Sequence, residues 1–478
     1  MLRVFHLALL LQLLAATFTS LNSTGAHAAE RSDKRPNILY VLLDNVGKDW
    51  FRCYGSQENQ TPNMDRLAAS GIQFRNCYVT PVCSTTRHML LTGRYPFRTG
   101  WHTHHDAAIY GGGYFDWNRE IAFARVLKSA GYDTCISGKW QINDLFDPKQ
   151  KDALKKHGFD EHCIFPEGPK GHAAHKKRYW DAYIMKNRER IDTTGKFGPD
   201  ICTDYLIDFM RKHRDRPFLA YYSAILTHIP VVTTPHNPDE RATTREKFAG
   251  MLHYADHLIG QLVSALDELG LRENTILCVM SDNGTDNGTD QGDEQSLGGR
   301  VNGRISDEGI YSMTERGINV PFIVNCPKLV PGGRFSDSMV DASDILPTLA
   351  ELAGAKLPEG VAIDGQSFAT ELLGKSLSDR RPWCHTQYYT RRVVRDQRFK
   401  LYSTGEFYDL AADPLEQHNL SGSKTLADDH AAITAQQQLQ KVLGSFPLDA
   451  QLWFEPRSIS ARRLRAERQA LEKAVNEP

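Results

Sequence analysis

The sequence predicts an α/β fold: a layered sandwich around a large, mostly parallel sheet, followed by a small C-terminal antiparallel sheet with a helix. Two apolar runs carry the first part, Ile38-Leu39-Tyr40-Val41-Leu42-Leu43 and Thr275-Ile276-Leu277-Cys278-Val279-Met280. Neither alternates with polar residues, which is how a strand reads when helices cover both faces of a parallel sheet. The second part rests on a change of pattern after Ser376. Short segments follow there at Arg391–Phe399, Lys400-Leu401-Tyr402 and Phe407-Tyr408-Asp409-Leu410. A chain of 478 residues, 41% hydrophobic and with 36 glycines, suits one large domain and a smaller one.

Residues 1–28 read as a secretory signal, with Arg3, an apolar stretch from Leu7 to Phe18 and Ala26-His27-Ala28 as a cleavage site. The apolar stretch is short for a membrane span, and no later segment reaches about 18 uninterrupted apolar residues. The expectation is an exported chain, periplasmic or secreted, or in a lysosome-like compartment if the source is eukaryotic, without stable membrane insertion. A formal net charge of −1 provides no basic field for nucleic acid. Nine cysteines show no metal-finger spacing, and their odd number leaves one for other chemistry.

Both apolar runs end in the same way. The first stops at Asp44-Asn45 and the second at Ser281-Asp282-Asn283-Gly284. Polar oxygens at the carboxyl ends of buried strands are where open α/β sheets hold ligands. Two Asp-Asn pairs suggest one shared site for a hard cation with oxygen ligands. Between them, Pro81-Val82-Cys83-Ser84-Thr85-Thr86-Arg87-His88-Met89-Leu90-Leu91-Thr92-Gly93-Arg94 sets a thiol just before a helical run. Free backbone N–H groups there lower a thiol pKa and attract anions. Arg87, four residues on, shares the helix face and points its donors back at residue 83.

Further along, Thr61–Leu67 reads as a capped helix and Gly71–Phe74 as a strand. His102, His104, His105, Asp106 and Gly111-Gly112-Gly113 form a Gly-rich loop without the Lys-Ser/Thr of a phosphate loop. Ala130–Gln141 is a helix end, strand and loop that delivers Lys139 and Gln141. Pro217–Ala224 is another strand, leading to Thr227-His228-Ile229-Pro230. His253 and His257 share an amphipathic helix and, with no third ligand in view, read as surface. Asp286–Arg304 reads as a long flexible loop. Val340–Leu349 reads as a helix of the main domain, and the Arg- and Glu-rich stretch 451–478 as an exposed helical tail.

Cys83, Arg87 and Leu91-Thr92-Gly93-Arg94 resemble the signature of the type I sulfatases, members of the alkaline-phosphatase-like superfamily. The likeness extends through Pro36-Asn37-Ile38, Asp44, Lys139-Trp140, His228-Ile229-Pro230, Asp282-Asn283-Gly284 and Glu315–Pro321, almost the whole mature chain. It implies a catalytic domain over 35–375, a C-terminal subdomain over 376–450 and hydrolysis of a sulfate monoester. Cys83 would be oxidised to formylglycine by a formylglycine-generating enzyme, and one Ca²⁺ would sit on Asp44, Asn45, Asp282 and Asn283. Arg87 and Lys139 would offset charge on nucleophile and sulfate, and His228 would be the general acid. Lys139, Gln141 and His228 would contact a sulfated small molecule or carbohydrate.

Four positions depart from the family pattern. Asn45 stands for Asp, Thr85 for Pro, Gln141 for His and Ile310 for Lys, unless Arg304 serves in the last role. Two other readings stay open beside sulfate hydrolysis: a phosphate-ester hydrolase on the same fold, and a sulfatase-shaped binding protein without turnover. The sequence has no readable code for specificity in 101–117, 143–200 or 286–304.

Overall fold

A computed structural model of the chain describes residues 35–103, 114–168, 172–286, 297, 299–301, 304–306, 309–376 and 380–447. The signal segment, residues 104–113, most of the 287–298 stretch and the 451–478 tail lie outside the described residues. A ten-stranded sheet runs in the order Arg334–Ser336, Ile72–Phe74, Phe322–Asn325, Thr275–Ser281, Asn37–Leu43, Phe218–Ser223, Asp133–Lys139, Glu161–Phe165, Met185–Lys186, Glu189–Arg190. Its five central strands, Thr275–Ser281 to Glu161–Phe165, are mutually parallel.

The absence of alternation in Asn37–Leu43 has a direct cause. Ile38, Tyr40 and Leu42 enter one core, shared with the helices Cys83–Thr92, Phe123–Ser129 and Ile345–Ala353. Leu39, Val41 and Leu43 enter the other, against Pro62–Ala69, Gly198–Lys212 and Thr244–Glu268. Each such aliphatic side chain contributes roughly 1.5–3 kcal/mol over its exposed state, so neither face tolerates a polar residue. The helix Thr244–Glu268 starts at a capping box in which Thr243 and Glu246 satisfy each other's backbone N–H groups.

Register aligns the carboxyl ends of the central strands. Leu43 lies opposite Ser281, Leu42 opposite Ser223, and Gly138 opposite Ser223. Asp44, Asp282 and Lys139 therefore emerge at one edge. Gly138 has φ +105° and a Cβ there would lie 2.0 Å from the Ser223 carbonyl oxygen, so only glycine fits beside Lys139.

The smaller antiparallel sheet comprises Cys384–Tyr388, Arg391–Arg395, Phe399–Tyr402 and Phe407–Asp409. The helix His430–Gly444 covers it, placing Ala435, Leu439 and Leu443 against Val394, Phe399, Leu401 and Phe407. Both sheets belong to one compact unit, joined by buried ion pairs such as Glu315–Arg395 (3.0 Å) and Arg381–Asp341 (2.6 Å).

Two expected boundaries shift. The helix expected from Val340 begins at Ile345, because Val340-Asp341 pairs with Cys77-Tyr78 and the Asp341 side chain caps the turn Ala342–Asp344. Part of the expected loop is a hairpin, Gly299–Val301 with Arg304–Ser306. Among the described residues no helix is long and apolar enough to cross a membrane.

Candidate active site

Asp44 and Asp282 follow directly on their strands and are fully buried. The backbone N–H groups of Asp44 and Asp282 donate to Leu226 and Leu43 (2.9 and 3.0 Å), and that of Thr227 to the Asp44 carbonyl (2.6 Å). The last of these ties the segment carrying His228 to the Asp44-Asn45 turn. Asn45 takes a left-handed conformation, φ 56°, which Asn tolerates better than most residues. Its N–H donates to Asp282 Oδ1 (3.2 Å), and Asn283 Nδ2 donates to Asn45 Oδ1 (2.8 Å).

Arg87 locks the two carboxylates together. Its Nε donates to Asp282 Oδ2 (2.9 Å), its Nη2 to Asp44 Oδ2 (3.0 Å), and its Nη1 to Ser223 Oγ. Lys139 Nζ donates to the same Asp44 oxygen (2.8 Å) and lies 3.6 Å from Cys83 Sγ. The fork of Arg87 is thus turned to the carboxylates, and the close cation at Cys83 is Lys139. Two carboxylates face two cations, so their formal charges cancel. Asp44 Oδ1, Asn283 Oδ1 and Asn45 Nδ2 are nonetheless buried without a hydrogen-bond partner. Buried acceptors left over in this way cost about 1–3 kcal/mol each. Hard oxygens from two carboxylates and the Asn283 amide fit a calcium-like ion, which would satisfy Asp44 Oδ1 and Asn283 Oδ1; Asn45 joins them when its amide turns its oxygen inward.

Electrostatics refines the roles. Burial pushes the Cys83 thiol up to about 11, against the pull of Lys139. This corrects the expectation of a lowered thiol pKa: the helix begins at Cys83 itself, which is 2% exposed, and desolvation outweighs the helix terminus. Burial also opposes the Asp44 carboxylate, but Lys139, His228 and Arg87 hold it below its ordinary value. Burial and the Asp44 charge raise Asp282 to about 6. The Lys139 ammonium, opposed by burial, is held above the usual lysine value by Asp44.

His228 reaches the same point. One ligand atom each from Asp44, Cys83 and His228 lies within 4.8 Å of the others. Burial, with Lys139 beside it, pulls the imidazole down to about 3. Gln141 is 2% exposed, and its Oε1 has no protein partner. Thr85 and Thr86 are fully buried and locked to Thr80, with Thr85 Oγ1 donating to the Val82 carbonyl (2.9 Å). Ile310 is buried; its N–H meets the Thr285 carbonyl (3.0 Å) and that of Tyr311 meets Pro81 (2.9 Å), so this segment borders the Cys83 loop.

His253 and His257 lie on the Thr244–Glu268 helix, where the His257 ring meets His236 in a tilted contact (centroids 4.4 Å, 57°). All nine thiols are free. A cavity of about 770 Å³ is lined by Lys48, Trp50, Glu315, Arg316 and Arg395 but by neither Cys83 nor Lys139.

Sequence reasoning missed Ser223, Glu167 and Arg178. Ser223 had a signal, a hydroxyl closing the apolar strand Phe218–Ser223. Glu167 and Arg178 had none, since neither lies on a helix or a strand.

A parallel sheet with two buried carboxylates, a lysine and a cysteine gathered at its carboxyl edge is the setting of an α/β hydrolytic enzyme. The sulfatase family model matches residues 36–355, and that of the N-sulphoglucosamine sulphohydrolase C-terminal region matches residues 310–443. The chain belongs to the sulfatase family and is a sulfuric ester hydrolase. It is 32% identical over 385 residues to N-acetylgalactosamine-6-sulfatase of Canis lupus familiaris, covering 75% of this chain and 70% of the relative. It is 28% identical over 484 residues to N-acetylgalactosamine-6-O-sulfatase of Bacteroides thetaiotaomicron, covering 82% and 90%. The fold is similar to the crystal structure of Ps i-CgsB, with TM-score 0.74, 24% identity and coverage of 93% and 100%. It is also similar to BT4656 in complex with its substrate D-glucosamine-2-N,6-O-disulfate, with TM-score 0.67, 22% identity and coverage of 87% and 100%.

Proposed function

We propose that the chain cleaves the sulfate ester of a sulfated carbohydrate at the Cys83 site, with residue 83 as formylglycine and one calcium ion on Asp44, Asn45, Asp282 and Asn283. The observation that carries this is the set of unpaired buried acceptors, Asp44 Oδ1 and Asn283 Oδ1, beside Cys83 and Lys139. Bound calcium would polarise the sulfate oxygens, and formylglycine would supply a hydrated aldehyde. A thiol cannot take that part. Its pKa is about 11, and a thiolate that displaced an alcohol from sulfate would be trapped as a stable thiosulfate ester.

The other roles belong to side chains of this chain. Lys139 holds a full positive charge between residue 83 and the sulfate and offsets the charge that grows there. Arg87 fixes Asp44 and Asp282 in register. His228 meets the leaving oxygen and supplies its hydrogen, and the Gln141 amide contacts sulfate. Relatives named for N-acetylgalactosamine-6-sulfate and a neighbour holding a 6-O-sulfated glucosamine support an amino-sugar 6-sulfate as substrate. Export through the 1–28 leader belongs to the same reading. So does a formylglycine-generating enzyme as partner, acting before the Cys83–Thr92 helix packs, because Cys83, Thr85 and Thr86 are buried in the fold.

Chain purified from its native host tests this directly. Trypsin releases Asn76–Arg87 as one peptide, and the expected mass is that of a thiol sulfur replaced by a carbonyl oxygen. If every copy retains an unmodified Cys83, the mechanism fails and the binding-protein reading takes its place.

A further inference from the structure

His228 is held from behind. Arg178 Nη1 lies 2.8 Å from His228 Nδ1 and donates to the Ile229 carbonyl at 2.8 Å. Arg178 Nη2 donates to Glu167 Oε1 at 2.5 Å. Glu167 is 2% exposed, so the guanidinium is anchored on a carboxylate inside the protein. The adjoining Tyr179 hydroxyl donates to the Ile225 carbonyl (3.0 Å) and to that of His228, which fixes the backbone beneath the ring.

Nδ1 faces two groups of opposite demand. The Ile229 carbonyl, 2.6 Å away, can only accept, whereas the guanidinium can only donate. Arg178 already serves that carbonyl, and a proton on Nδ1 would point at a cation. With Nδ1 accepting, Arg178 donates to both the ring and the carbonyl, and its charge offsets the 2.6 Å approach of those two acceptors. It leaves the ring proton on Nε2.

We infer that Glu167 and Arg178 are positioning residues for His228: they select its Nε2–H form and aim that hydrogen at the leaving oxygen of the ester. The inference rests on His228 being the group that meets that oxygen. It makes Glu167–Arg178–His228 a relay in which a buried carboxylate orients a cation and the cation orients the imidazole. No covalent step is added. The relay sets which ring nitrogen is presented when the S–O bond breaks and negative charge reaches the leaving group.

A series of aryl and alkyl sulfates with leaving groups of increasing pKa tests it. Truncating a donor to the leaving oxygen hurts poor leaving groups most, because good ones need no help. Arg178→Ala should lower kcat/KM about 10-fold for the best leaving group and about 10²–10³-fold for the worst, the range a general acid provides. Arg178→Lys should recover part of this, since it keeps charge but loses the fork. Glu167→Gln should show the same trend more weakly. The double variant Arg178→Ala/His228→Ala should be no worse than His228→Ala alone. If Arg178→Ala does not fold, the Lys and Gln variants carry the test. A steep leaving-group dependence in His228→Ala beside a flat one in the Arg178 and Glu167 variants overturns the inference alone. A flat dependence in His228→Ala overturns the role given to His228 and the inference with it.

Discussion

Two pairs of buried aspartates, Asp44 with Asp282 and Asp341 with Asp344, differ in whether protein groups complete them. Where the small sheet meets the large one, Asp341 Oδ2 takes Tyr95 (2.9 Å) and Arg381 (2.6 Å), and its Oδ1 takes the Ser343 N–H (3.0 Å). Asp344 takes the Gln366 N–H (2.7 Å) and Arg381 (2.8 Å) on one oxygen, and the Asp341 N–H (3.0 Å) and Arg380 (2.6 Å) on the other. Protein groups complete those carboxylates. At the strand ends, Asp44 Oδ2 takes both Arg87 and Lys139, while Oδ1 takes nothing. Buried charge alone therefore does not mark a site. Here the mark is an unspent carboxylate oxygen at the strand ends, beside Lys139 and Cys83.

The sharpest way to break this comparison is at residue 83. Cys83→Ala should lower turnover of an aryl sulfate by about 10⁴-fold or more, as loss of a nucleophile does. Its thermal midpoint should stay close to the parent's. A variant that keeps more than a few per cent of activity would remove residue 83 from the chemistry.

Next in size is a pair of variants. Asp282→Asn should weaken calcium binding about 100-fold, because ligand charge sets affinity in oxygen sites, and should also cost stability, since Arg87 then keeps only Asp44. Asp341→Asn likewise strands part of the Arg381 charge and should cost about 3 kcal/mol of unfolding free energy, but with calcium affinity intact. Calorimetry and urea unfolding on both variants give the four numbers, and matching losses of calcium affinity would erase the distinction.

The sequence showed the first cluster better than the second, for a physical reason. Asp44-Asn45 and Asp282-Asn283 each close an apolar strand, so local pattern and topology agree on where they go. Lys139 and His228 follow strands of the same sheet and were legible in the same way. Glu167 and Arg178 meet His228 from irregular chain, and Asp341 and Arg381 meet across a boundary between sheets, so no periodicity announces them. Thiol chemistry was misjudged at Cys83 because a helix terminus is visible in sequence and burial is not.

A pH measurement probes a third buried cluster, Glu315 with Arg395 and Lys400. Burial opposes the Glu315 carboxylate, but Arg395 and Lys400, with Asn319, hold it down to about 2 from an ordinary 4.5. A depressed carboxylate stabilises the fold above its unfolded pKa, and that contribution disappears as pH falls from about 4.5 toward 2. The shift corresponds to about 3 kcal/mol at most. Glu315→Gln should therefore be less stable than the parent at pH 7, and the gap should close on acidification through that window. A gap that stays constant would mean that Glu315 acts by shape and hydrogen bonding alone.

The smallest effect concerns Asn45, where two demands compete. With asparagine there, the formal charges of Asp44, Asp282, Arg87 and Lys139 cancel, so a bound divalent cation leaves the site positive and attractive to a sulfate ester. Asn45→Asp adds a negative ligand. Calcium affinity should rise about 5–10-fold, on the order of 1 kcal/mol. KM for an anionic substrate should rise by a similar factor as the field weakens. The backbone at 45 has φ 56°, a conformation that Asp and Asn both enter more readily than most residues, so the change tests charge with little strain. Calorimetry supplies the calcium term and initial rates the KM term. Tighter calcium binding with an unchanged KM would mean that sulfate is held by Lys139 and the ion without help from the cluster's net charge.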